Sequence, residues 1–98
     1  MGNRAKDLPA IELLESVHHF PGRYIFKAIG RVDNGFAARI VAAVRDELQA
    51  DTDPPFSCRQ TAGGRHIAVT LEPHLESVEQ VLAIYRRIQA VQGQVLLF

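Results

Sequence analysis

Tryptophan is absent from this 98-residue chain, cysteine occurs once, and eleven lysines and arginines are cancelled by eleven aspartates and glutamates. Each shortage removes a class of explanation. A single thiol, Cys58, cannot close an internal disulfide, so a reducing, cytoplasmic setting is expected. Balanced charge removes the basic footprint with which nucleic-acid binders neutralise phosphates. It also gives no reason to expect attraction to a membrane surface, and the charges form no block of one sign. No apolar run approaches the roughly 18 residues that a membrane helix needs. Residues 1–7 are polar and lead into no signal-type apolar core, so they are expected to be a poorly ordered start rather than a targeting segment. His18, His19, His66, His74 and Cys58 show none of the spacings that ligate metals, so no metal or cofactor is expected. No Ser, His and Asp fall in a catalytic arrangement, and no catalytic residue is assigned. A protein without enzymatic activity is therefore expected.

What is present suffices for one domain over residues 1–98, long enough to bury a core without disulfides. Residues 8–20 form a leading helix and turn, and 21–98 form the body. The spacing of Ala10, Leu13, Leu14 and Val17 predicts a helix over residues 7–17, with Pro9 in its first turn and Pro21-Gly22 beyond its end. Residues 24–31 alternate as a strand with Tyr24, Phe26, Ala28 and Gly30 inward and Ile25, Lys27, Ile29 and Arg31 outward. Gly30 marks a close approach. A helix over residues 36–48 carries the row Phe36, Ile40, Val44 and Leu48, widened by Ala37 and Val41; Asp33 or Asn34 can cap it. Pro54 and Pro55 forbid its continuation. Strands over 56–60 and 66–71 flank Gly63-Gly64, whose positive φ suits a hairpin. Ser77 and Gln80 have capping-box spacing and start a helix that buries Val78, Val81, Leu82, Tyr85 and Ile88. Gly93 ends it, and residues 95–98 make the last strand.

The order is a short helix followed by β-α-β-β-α-β. With right-handed crossovers it gives an α+β, ferredoxin-like split βαβ sandwich: two helices on one face of an antiparallel sheet ordered 4-1-3-2.

Leu13-Leu14-Glu15, Phe20-Pro21 and the stretch Tyr24-Ile25-Phe26-Lys27-Ala28-Ile29-Gly30 resemble the opening of the YbeD-like family of small uncharacterised bacterial proteins. Gly64 before a strand, Val78-Glu79-Gln80-Val81 and Tyr85 match its second half. The resemblance spans residues 13–98. It implies the same ferredoxin-like fold, similar to ACT-type regulatory domains that bind small effectors, and it implies regulation or protein contact rather than a reaction.

In the 4-1-3-2 order, Ile25 and Ile29 lie beside Val95 and Leu97 on the sheet face away from the helices, around Lys27. An uncovered aliphatic patch of this kind commonly takes a partner. The competing cover is the leading helix, through Leu13, Leu14 and Val17, from the same chain or exchanged with another. The interface candidates are therefore Leu14, Val17, Ile25, Lys27, Ile29, Val95 and Leu97, and the partner is a second copy or another protein. Lys27 holds an anion or extends its stem over apolar surface. Val32, Asp33, Asn34 and Gly35 precede a helix N-terminus, where free N–H groups favour anions. They are the candidates for a small effector, against the simpler reading that they cap and turn. Gly30, Arg31, Val32, Phe36 and Arg39 are loosely similar to the phosphate-cradling loop of acylphosphatases. A small phosphate-handling hydrolase is thus the alternative function, although residues 56–60 lack the asparagine that such chemistry needs. RNA binding is disfavoured because Ile25, Ile29, Ala68 and Thr70 give the open face no aromatic for stacking. Cys58 reads as a small core residue.

Overall fold

The computed structural model of the protein describes residues 9–32 and 35–98. Its elements run α1 (Ile11–Val17), β1 (Gly22–Arg23), β2 (Phe26–Arg31), α2 (Phe36–Leu48), β3 (Phe56–Gln60), β4 (His66–Leu71), β5 (His74–Leu75), α3 (Val78–Gln89) and β6 (Gln94–Leu97). The main sheet is antiparallel in the order β3-β4-β2-β6. This is the ferredoxin-like 4-1-3-2 arrangement expected from the alternation of helices and strands.

Local chemistry explains most boundaries. α2 begins after Gly35, whose left-handed φ of 66° admits the chain without a side-chain cap. Asp33 and Asn34, the expected caps, lie outside the described residues. α3 starts at Ser77, whose Oγ accepts the Gln80 amide at 3.4 Å. Gln80 Oε1 in turn accepts the Glu76 amide at 2.6 Å, one residue earlier than a standard capping box. Glycines 63 and 64 turn the β3–β4 hairpin at φ of 91° and 70°, and Gly93 turns α3 into β6 at φ of 93°.

The expected strand over residues 24–31 begins only at Phe26, and a separate two-residue strand, Gly22–Arg23, precedes it. The β2–β4 ladder ends at Phe26 opposite Leu71. Pro73 has no N–H to donate, so the ladder cannot run on evenly. Pairing resumes as a separate ribbon, Gly22 opposite Leu75 and Arg23 opposite His74, with the Tyr24 amide donating to Pro73 O at 3.1 Å between the two. α1 is also shorter than expected. Pro9 and Ala10 precede it, and Ala10 offers no side-chain cap.

One core joins all three helices to one side of the sheet. It holds Leu14, Phe26, Ala28, Phe36, Ile40, Val44, Val69, Leu71, Val81, Ile84 and Ile88, all buried. On α3 the residues 81, 84, 85 and 88 follow i, i+3, i+4, i+7 and centre the buried stripe. Leu82, expected there, is only partly buried at the flank, whereas Ile84 is fully buried. Tyr24 and Tyr85 bring polar tips into this core and satisfy each other, hydroxyl to hydroxyl, at 3.0 Å. Burial, and then that hydrogen bond, push the Tyr85 hydroxyl pKa well above its ordinary value. Among the described residues no helix is long and apolar enough to cross a membrane.

Candidate functional site

The side of the sheet away from the helices is built by the outward residues of four strands. One row reads Phe98, Lys27, Thr70, Ser57, and the next reads Leu96, Ile29, Ala68, Arg59. Phe98 joins the first row through two backbone bonds with Lys27, its amide donating at 2.8 Å and its carbonyl accepting at 3.2 Å. The face is divided. Toward β3 and β4 it presents Ser57, Thr70, Arg59 and His66. Toward β2 and β6 it presents apolar groups: Ile25 is 56% exposed, Val95 and Leu96 each 50%, and Phe98 59%. Lys27 stands exposed among them and Ile29 is half-buried. Among the described residues no helix lies over this face.

Ile25, Lys27 and Ile29 follow the outward alternation of β2, Val95 is exposed at the bulge of the neighbouring β6, and three other candidates lie elsewhere. Leu97 does not belong to the outer face. It sits opposite Ala28 and packs against the core. The cause is a bulge: Gly30 pairs with Gln94 and Ile29 with Leu96, so Val95 is the extra residue and alternation is interrupted there. Leu96 and Phe98 take the outward positions instead. The open face therefore carries one aromatic, Phe98, where none was expected. Leu14 is 3% exposed in the main core, and Val17, although 60% exposed, lies on α1, which packs against α3. α1 therefore does not cover the sheet. Leu14 shares its stripe with Leu13 and Val17, which are exposed, so the stripe alone did not say which layer α1 packs on.

At the loop before α2, Val32 donates its amide to Arg65 O at 3.2 Å and Gly35 O accepts the Arg39 amide at 3.0 Å. Asp33 and Asn34 lie outside the described residues. Arg39 reaches from α2 to the turn before β6, donating to Gln92 O at 3.0 Å. Arg31 is on the opposite, open side of the sheet, paired across from His66. The two arginines of the acylphosphatase comparison are thus separated by the sheet. Beside Gly30, Gln94 Oε1 is closed off from solvent without a hydrogen-bond partner.

Cys58 is exposed, which corrects the expectation of a core cysteine. It faces the helix side opposite Val69, but β3 is an edge strand that α2 does not reach across. The gap is an apolar groove of about 500 Å³ between Ala37, Val41 and Ala42 of α2 and Phe56 of β3, closed at one end by the Arg45–Asp53 ion pair at 2.8 Å. A second depression of about 360 Å³ lies between the end of α1 and the start of α3, lined by Glu15, His18, His19, Glu76 and Glu79. Among the described residues no group of three or more His, Cys, Asp or Glu side chains could hold a metal ion.

Comparison with known proteins gives a family. A family model described as "Protein of unknown function (DUF493)" matches residues 15–97. A UPF0250 protein of Ralstonia nicotianae is 31% identical over 91 residues, covering 88% of this chain and 89% of its own length. A UPF0250 protein of Shewanella woodyi is 29% identical over 82 residues, 84% of this chain and 86% of that one. One from Shewanella amazonensis is 26% identical over 74 residues, with coverage of 76% and 82%. The chain belongs to this DUF493/UPF0250 family, the YbeD-like small bacterial proteins whose function is not established.

Proposed function

We propose that the protein is a non-enzymatic, cytoplasmic protein-binding module that docks through the open face of β2 and β6. One observation carries this reading: Ile25, Val95, Leu96 and Phe98 gather as exposed apolar groups around Lys27 and Ile29 on the sheet side that no described helix covers. Fully burying one such side chain releases about 1.5–3 kcal/mol, so water is a poor permanent neighbour for four. The polar half of the same face supplies the rim that protein interfaces keep wet. A small effector at the loop of Val32 and Gly35, before the N-terminus of α2, is compatible with this role.

The test is association, measured by light scattering and by retention of proteins from the native cell extract. The parent chain is expected to self-associate or to retain a defined protein, Ile29→Asp to lose that association, and Thr70→Asp on the polar half to keep it. A chain that neither self-associates nor retains any protein that Ile29→Asp releases overturns the reading. The hydrolase alternative is judged on acyl phosphates and phosphate esters, where turnover abolished by Arg39→Ala would replace docking with catalysis.

A further inference from the structure

The main sheet has two edges, and they are built differently. β3 is preceded by Pro54 and Pro55 and carries Arg59. Prolines that cannot donate and charges that resist burial are common guards against strand addition. β6 has neither. Gln94, Val95, Leu96, Leu97 and the following Phe98 include no charged side chain and no proline. Its hydrogen bonds can be accounted for. Phe98 exchanges both of its backbone bonds with Lys27 on β2. In an antiparallel pair the next residue turns its peptide groups the other way. The N–H and C=O of Leu97 therefore point to the open edge, while its side chain faces the core. The bulge at Val95 confines any regular pairing to the C-terminal part of the strand.

The geometry points to β6 of a second copy of this chain as the occupant of that edge, paired antiparallel through a two-fold axis so that the four-stranded sheet continues into its twin. This deepens the docking role proposed above and rests on it. Three observations favour a second copy over a charged peptide. β6 offers no charge by which to select one. A strand meeting itself across a two-fold finds the same uncharged apolar residues, which is the self-complementarity an isologous contact demands. The chain's formal net charge of +0 at pH 7 sets up no overall repulsion between copies. The pairing also joins the Val95, Leu96 and Phe98 patches of both protomers into one. So short an edge supplies only part of the roughly 800 Å² per partner in a standard stable interface, so association is expected to be weak and concentration-dependent.

Two measurements on the whole chain test this. The first is amide hydrogen exchange by NMR at low and high protein concentration. Exchange of the outward-pointing Leu97 amide is expected to slow at least tenfold as the copies associate. The second is a charge swap at half-exposed Leu96. Leu96→Lys and Leu96→Glu are each expected to stay monomeric by light scattering, and an equal mixture to associate again. If the parent chain associates while Leu97 exchange is unchanged, edge pairing is overturned and the docking role stands. A parent chain that is monomeric at every concentration also overturns edge pairing, and docking then depends on the retention experiment. If either Leu96 variant fails to fold, the exchange measurement on the parent chain decides alone.

Discussion

The ring of Phe36 occupies the space where a side chain on Gly30 would begin. An ideal Cβ on Gly30 would fall 2.6 Å from both Cε1 and Cε2 of Phe36, and closer still to Cζ. The first helical residue of α2 is thereby seated directly on the backbone of the central strand β2. Gly30→Ala is expected to cost about 1–3 kcal/mol through overpacking, read as a lower urea midpoint. Adding Phe36→Leu should return part of that loss, because the smaller side chain gives the new methyl room.

The paired hydroxyls of Tyr24 and Tyr85 give a second expectation. Tyr85→Phe leaves the buried Tyr24 hydroxyl without its 3.0 Å partner. The expected loss is about 1–2 kcal/mol by denaturant unfolding. In the double variant with Tyr24→Phe neither hydroxyl is stranded. Its loss should be smaller than the sum of the two single losses.

The same tyrosine predicts an alkaline weakness. Below the unfolded tyrosine pKa of about 10, both states hold the proton and its contribution to stability is complete. Above it the unfolded chain releases the proton, while burial and the Tyr24 hydrogen bond keep the native Tyr85 protonated. The unfolded state is then favoured, and stability should fall by up to about 1.4 kcal/mol per pH unit. Urea unfolding between pH 9 and 11.5 (about the accessible range on either side of the reference value) reads this slope, and Tyr85→Phe should flatten it.

Packing on α3 separates two neighbours of similar chemistry. Ile84 is 0% exposed, whereas Leu82 is only partly buried. Ile84→Ala should cost about 2–5 kcal/mol, most of it from a cavity that cannot collapse. Leu82→Ala should cost clearly less, and thermal unfolding of the pair orders them.

At the start of the same helix, Ser77→Ala removes the acceptor of the Gln80 amide. The expected cost is about 1 kcal/mol, with Ser77→Asp restoring most of it.

Much of the architecture was legible because local signals agreed. Phe36–Leu48 matches its reading at both ends, since Gly35 and the Pro54-Pro55 pair bracket an unbroken helical stripe. The 4-1-3-2 order followed from two crossovers and one tight hairpin. The failures share a different cause: each depends on a neighbour far away in the chain. Residues 22–23 and 74–75 are too short to show periodicity, and only the interruption at Pro73 explains their pairing. Leu97 reads as outward in the sequence because alternation counted along a strand cannot reveal an extra residue at Val95. Cys58 alternates like a core residue, but how far α2 reaches over an edge strand is a property of the assembled fold. At the candidate site, Ile25, Lys27 and Ile29 were readable from the strand pattern alone, whereas Leu96 and Phe98 needed the register.

The bulge also makes β6 tolerant in an unusual way. Losing one residue from a strand normally inverts every side chain beyond the gap. Here Gln94 already faces Gly30 and Leu96 already faces Ile29, with Val95 left over between them. Excising Val95 would leave both of those partnerships intact and straighten the ladder, so the chain carries a spare length that natural or engineered shortening could remove without turning the strand inside out.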